Sequence, residues 1–350
     1  MMHANCGASA NSVGKNGGGA ARLRWASARQ APLDRLMLLL LGAATLLAAP
    51  ARKYSVGAFY YGPWHVDPTN EKLHGKNWTE WNLVKDAKPR FPGHEQPNVP
   101  LWGYQMDSDP QVMAQKIDAA ADHGVDHFLF DWYWYNETST NGKPGLFQDS
   151  ALEEGFLAAP NRHRMDFALM WASQEWMDVH PSVGPFVGYG NRTPTFVGAI
   201  NRDTFDHMTD HIVSRYFSQP NYLRVQTTPG GPKCAFFSIY EVPTFVAGQG
   251  GTQKARQALD AFRAKAQRAG EACLHISTQG GAGSVEQAQA LGLDSSANYC
   301  WYHTTGNVLN AASNFPVTPH AAMLKGSVKA CARISPSLFF LVAGHGPDCR

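Results

Sequence analysis

Carboxylates and aromatic rings recur in this sequence wherever the chain leaves an apolar, strand-like run. The run at 56–61 gives Tyr60 and Tyr61 and is followed by Trp64 and His65; the run at 125–130 is followed by Asp131, Trp132, Tyr133, Trp134 and Tyr135. Trp171, Ser173, Glu175 and Trp176 close or follow the run at 166–171. Later runs add Tyr240 and Glu241, then His275, and finally Trp301 and His303. A sugar ring offers apolar C–H faces and a fringe of hydroxyls, so a saccharide site needs flat rings beside carboxylates, imidazoles and amides. The set supplies all of these except a clear amide. Any single ring could equally pack a loop; recurrence after successive runs is what points to a site.

Acid–base work on a glycosidic bond uses two carboxyl groups, one protonating the leaving oxygen and one assisting attack. Asp131, Glu175 and Glu241 are the catalytic candidates by position. Glu80, beside Trp81 in the long first loop, either reaches the same mouth or holds that loop together. No Ser-His-Asp order or G-x-S-x-G elbow is present, which argues against an esterase. With 30 basic and 28 acidic residues interspersed along the chain, nothing points to nucleic acid. The cysteines lack metal-type spacing such as C-x-x-C, and no metal or organic cofactor is expected.

The elements that must position these groups can be read from caps and periodicity. Asp109 and Pro110 start a helix whose Met113, Ile117, Ala120 and Ala121 share a face, and Gly124 ends it. Further helical patterns cover 151–158, 205–216 (Phe205, Met208, Ile212, Tyr216), 252–266 with Thr252 as its cap, and 285–291. Between them lie strand-like runs at 234–240, 273–277 and 297–301. Continuous apolar strands alternating with helices predict a parallel sheet covered by helices. No G-x-G-x-x-G or phosphate loop follows the first strand, so an open nucleotide-binding sheet is disfavoured. Polar and aromatic residues at the strand exits favour a closed (β/α)8 TIM-type barrel, of which six strands are recognisable.

Residues 1–52 read as a leader: a basic, small-residue stretch, then an apolar run at 36–49 of signal-peptide length, with a small-residue cleavage site at Ala49-Pro50-Ala51. A retained signal anchor, and hence membrane attachment, or a transit sequence would also fit. The barrel domain is placed at 53–316 and 317–350 is an unassigned tail. A lumenal (ER or Golgi) or extracellular location is expected, with weak support from glycosylation acceptors at Asn77, Asn136 and Asn191. Cys234, Cys273 and Cys300 sit in apolar runs and read as buried free thiols.

The segments AFYYGPWH, GKNWTEWNLVKDAKPRFPGHEQPNVP, HGVDHFLFDWYWY and MDFALMWASQEW, with KCAFFSIYEV and 299–303 more loosely, resemble the WbsX-type glycosyltransferase-like family. That family shares its barrel with the endo-α-mannosidases of glycoside hydrolase family 99. The resemblance implies an eight-stranded barrel acting on a glycan or oligosaccharide, with Tyr60, Trp64, Asp131, Trp171 and Tyr240 lining the sugar site. Two departures stand out. Ser173 replaces an Asn frequent in the family, and the late Asn-Glu-Trp-x-Glu type of motif that carries the family 99 catalytic pair is missing. The likeness stops near Phe315-Pro316, so a truncated or frame-shifted product of a longer gene is expected. The function read from the sequence is therefore an endo-α-mannosidase-like glycoside hydrolase, with a non-catalytic glycan-binding protein and a WbsX-like glycosyltransferase as alternatives.

Overall fold

The computed structural model describes residues 54–89, 92–138, 144–178, 194–279, 285–297 and 299. The leader, Trp301, His303, Cys300 and the tail lie outside them. Eight strands are described: β1 (Gly57–Tyr60), β2 (His127–Thr138), β3 (Pro144–Phe147), β4 (Asp166–Trp171), β5 (Arg224–Gln226), β6 (Lys233–Ile239), β7 (Leu274–Thr278) and β8 (Ser295–Ser296). Six of them form a parallel sheet in the order β1-β2-β4-β6-β7-β8. Two short antiparallel strands, which the sequence reading missed, are added to it: β3 folds back on β2 and β5 lies against β6.

Helices join the parallel strands, the usual form of a parallel connection, except from β2 to β4, where the wide turn Ala151–Phe156 and the short turn Arg162–Arg164 do so. The helices are α1 (Pro68–His74), α2 (Trp81–Asp86), α3 (Pro110–Asp122), α4 (Arg202–Ile212), α5 (Val242–Gln249), α6 (Thr252–Arg268) and α7 (Val285–Leu291). The long first loop thus holds two helices. Asp67 starts the first by accepting from the backbone N–H of Thr69 at 2.8 Å and Asn70 at 3.3 Å. Asp109 caps α3 as expected, accepting from Gln111 N at 2.8 Å, and Met113 and Ile117 on its inner face are fully buried. Gly251, with φ of 116°, rather than Thr252, precedes α6.

The sheet curls. Tyr299 continues the line of β8, and across a flat sheet β2 and β8, four places apart, would be separated by roughly 19 Å, beyond the reach of one tyrosine side chain. Yet its backbone N–H donates to Gln279 O at 2.6 Å while its hydroxyl donates to Asp131 Oδ2 of β2 at 2.6 Å. The architecture is α/β, six parallel strands curved into part of a TIM-type barrel.

Strand alternation then sorts side chains onto two faces. The outer face packs helices: Trp171 meets Phe205 of α4 and Phe245 of α5, with ring centroids 6.0 and 5.8 Å away, and Phe237 meets Phe262 of α6 at 5.3 Å. Each such ring contributes roughly 2–3 kcal/mol by leaving water. The inner face carries a register row of Asp131, Met170, Ser238 and Ser277.

One expectation fails outright: Cys234 and Cys273 form a disulfide with Cα atoms 4.5 Å apart. Ala235 pairs with Leu274, so the two cysteines stand opposite each other one step upstream in neighbouring parallel strands. Apolar flanks report that a cysteine is buried, but the partner comes from sheet register, which flanks do not reveal.

Candidate functional site

Asp131 is the centre of the inner face. Its carboxyl is 9% exposed. Oδ2 accepts from the Tyr299 hydroxyl, while Oδ1 has no hydrogen-bond partner among the described residues. Burial pushes the carboxyl from 3.8 up to about 7, outweighing the downward pull of the Tyr299 hydrogen bond. Tyr299 is raised well above the usual phenol range, first by burial and then by Asp131, so its proton stays on the phenol.

Rings enclose this pair. Tyr299 lies 4.8 Å from Phe59 and 5.3 Å, edge-on, from Tyr240. Tyr61 and Tyr133 are both raised, burial first, with Asp131 adding to each. Tyr133 meets Trp176 edge-on at 5.3 Å, and Tyr135 donates to Gln174 O at 3.4 Å. Tyr61, 37% exposed, lies where this face opens to solvent.

A second carboxyl belongs to the same neighbourhood. Glu80, just before α2, is half-buried and raised from 4.5 to about 7 by burial and then by Asp178. It acts on Tyr61, as does Asp131. An aromatic row holds this loop in place: Tyr61 meets Trp64 edge-on at 6.5 Å, Trp64 stacks on Trp81 at 4.1 Å, and Trp81 meets Tyr104 at 5.3 Å. Trp81 Nε1 donates to Gln105 O at 2.8 Å. Trp81 thus holds the loop, and Glu80 beside it lies near enough to Tyr61 to act on it.

Several residues read from the sequence as site-lining face elsewhere. Trp171 has no exposed surface and is enclosed by the helix layer, with Nε1 donating to Trp134 O at 3.3 Å. Trp132 is on the same outer face, its Nε1 donating to Tyr216 Oη at 3.2 Å. Both are core, because strand alternation turns them away from Asp131. Tyr60 also points outward, against Phe128 and Phe130, accepting from Lys116 Nζ of α3 at 2.7 Å. His65 is buried with Nδ1 3.0 Å from Asp107 Oδ1, and Tyr60 donates to Asp107 Oδ2 at 3.5 Å. That knot ties the first loop to α3.

Ser173 is taken up by backbone: its Oγ donates to Glu241 O at 3.1 Å and accepts from Glu241 N at 2.9 Å. Glu241 accepts from Thr244 Oγ1 at 2.8 Å at the start of α5, and Glu175 is exposed and makes no hydrogen bond among the described residues. Neither is brought to Asp131. His275 stacks on Phe236 and its Nε2 meets Ser295 Oγ at 2.8 Å, two residues before the Asp131 row. Among the described residues no cluster of His, Cys, Asp or Glu could hold a metal ion, and no helix is long and apolar enough to cross a membrane.

Residues 56–330 match the family described as Glycosyltransferase WbsX. The chain belongs to that family. This WbsX family member is also similar to the uncharacterized protein WxcX of Xanthomonas campestris pv. campestris, strains B100 and ATCC 33913, at 27% identity over 175 residues. That match covers 49% of this chain and 22% of each relative, so the chain spans about a fifth of their length. Among solved structures it is similar to the GH99 endo-alpha-mannosidase from Bacteroides thetaiotaomicron, with TM-score 0.41 and 14% identity over 72% of this chain and 65% of that one. A second structure of that enzyme, in complex with bis-tris-propane, gives TM-score 0.41 and 15% identity over 72% of this chain and 62% of that one.

Proposed function

We propose that the inner face of this curved sheet binds a glycan and that the protein is a carbohydrate-active enzyme of endo-α-mannosidase-like chemistry. The observation that carries the reading is Asp131: a buried, proton-holding carboxyl with one unbonded oxygen, bonded to Tyr299, near Tyr61 and Tyr133, with Phe59 and Tyr240 packed against Tyr299. A group held near pH 7 can donate a proton to a leaving glycosidic oxygen and take it back from the attacking hydroxyl. Glu80, held at a similar value and acting on Tyr61 as Asp131 does, is the better second carboxyl than Glu175 or Glu241.

The test is incubation with α-mannan and high-mannose oligosaccharide. New reducing ends that disappear in Asp131→Asn and Glu80→Gln support hydrolysis. Retention without cleavage favours the glycan-binding alternative, and neither would refute the reading. Transfer to a second glycan, as the family's description suggests, is the further alternative, separated by scoring for longer products. A lumenal or extracellular location belongs to the same proposal, supported by the Cys234–Cys273 disulfide, since such bonds persist in oxidising compartments. Attachment to a membrane through the leader is tested by fusing residues 1–52 to a reporter and asking whether it sediments with membranes.

A further inference from the structure

We infer that Gln279 is a second ligand-binding residue of the inner face, whose amide donates to one sugar hydroxyl and accepts from its neighbour. The inference rests on the reading of that face as a glycan site. Gln279 follows β7, and its backbone continues the ladder: N–H donates to Ile239 O at 3.0 Å and the carbonyl accepts from Tyr299 N at 2.6 Å. Alternation therefore puts its side chain on the face of Ser277, which is also the face of Asp131.

The side chain has no exposed surface, and neither Oε1 nor Nε2 has a hydrogen-bond partner among the described residues. A buried amide left unbonded on both atoms is costly, and proteins tolerate such groups mainly where function uses them. Asp131 Oδ1 is unbonded in the same way, and Tyr299 touches both residues. Together the two side chains present the amide's acceptor and donor and Asp131 Oδ1, which accepts when the carboxyl is ionised and donates when it holds its proton, the complement of adjacent ring hydroxyls. Gln279 is closed off from solvent and Asp131 nearly so, so a ligand reaching both requires Tyr299, which touches both, to shift. The ligand class is a pyranoside with two neighbouring free hydroxyls.

The experiment screens the full chain on an array of α- and β-linked oligosaccharides, then titrates the best-retained sugar and its monodeoxy analogues calorimetrically. For Gln279→Met we expect a melting temperature at or above wild type, because an unbonded amide is removed, with affinity lower by about ten- to a hundredfold. Wild type should reject one monodeoxy analogue by a similar factor, and the variant should not discriminate. Gln279→Glu, which keeps an acceptor and loses the donor, should fall between them. If wild type retains a sugar and Gln279→Met binds it equally well, the inference fails while the glycan site stands. If Gln279→Met melts well below wild type or does not fold, the amide has a structural partner and the inference fails too. If wild type retains no saccharide, both fall.

Discussion

Replacing Asp131 with Asn should make the protein more stable at high pH and leave it with a flatter pH profile. The carboxyl is 9% exposed and its folded-state value is about 7 against 3.8 in the unfolded chain, because burial disfavours the charge. A group whose value is raised on folding gives stability that is fully present below about pH 4 and is lost as pH rises through about 7. The shift of about three units corresponds to roughly 4 kcal/mol in all, of which about 2–3 kcal/mol is lost between pH 5 and pH 8. Asn is nearly isosteric: its carbonyl can accept from Tyr299, and it cannot ionise. Thermal melts of both proteins at half-unit pH steps isolate the effect, because the variant-minus-wild-type difference cancels Glu80, whose shift comes from burial and Asp178 rather than from Asp131. That difference should grow by roughly 5–8 °C from pH 5 to pH 8. Parallel curves would refute the claim that Asp131 holds its proton through burial.

Tyr299→Phe removes the only hydroxyl bonded to Asp131 among the described residues, so it should cost about 1.5–3 kcal/mol at pH 8, where the carboxyl is charged, and less at pH 5, as read by chemical denaturation at the two values. Reducing the Cys234–Cys273 bond, or replacing both residues with Ala, should lower stability by up to about 4 kcal/mol for a closure of 39 residues; an unchanged melting temperature in reductant would contradict it. Gly155→Ala should destabilise by more than about 2 kcal/mol, because its Cβ would run into the backbone carbonyl of Asp107, and the damage should reach the loop that Asp107 holds through His65. Amide exchange across 60–75 should rise in that variant.

Features set by local chemistry were legible in the sequence. The cap at Asp109-Pro110, the apolar stripe of α3, the helical spacing from Phe205 to Tyr216 and the runs that became β1, β2, β4, β6 and β7 all depend on neighbours a few residues away. Asp131, Tyr61, Trp64, Glu80 and Tyr240 stand out in the sequence because they sit at strand exits or in the loop beside one. The disulfide, the added strands β3 and β5, and the knot of Tyr60, His65 and Asp107 depend on register and long-range packing. No local pattern reports these.

The misplaced tryptophans have a more instructive cause. A strand buried on both faces reads as one apolar run, so period-two alternation gives no hydropathy signal. What differs between its faces is which side chains carry a polar tip. In β2 the series Asp131, Tyr133, Tyr135 alternates with Phe130, Trp132, Trp134. Around β6 Ser238 and Tyr240 alternate with Phe237 and Ile239, and around β7 Ser277 and Gln279 flank Thr278 and follow Ile276. In each case the first-named series lies on the face of Asp131. Phasing β2 and β6 by carboxyl- and hydroxyl-bearing side chains therefore separates Asp131 and Tyr133 from Trp132, and Ser238 and Tyr240 from Ile239, whereas in β7 the hydroxyl of Thr278 blurs the phase. β4 carries no such mark, since Met170 and Ala172 are as apolar as Leu169 and Trp171; there the phase comes only from pairing Met170 with Asp131. A site of this kind is written in the sequence as a shared phase across strands, and the sheet register is what brings those phases onto one face.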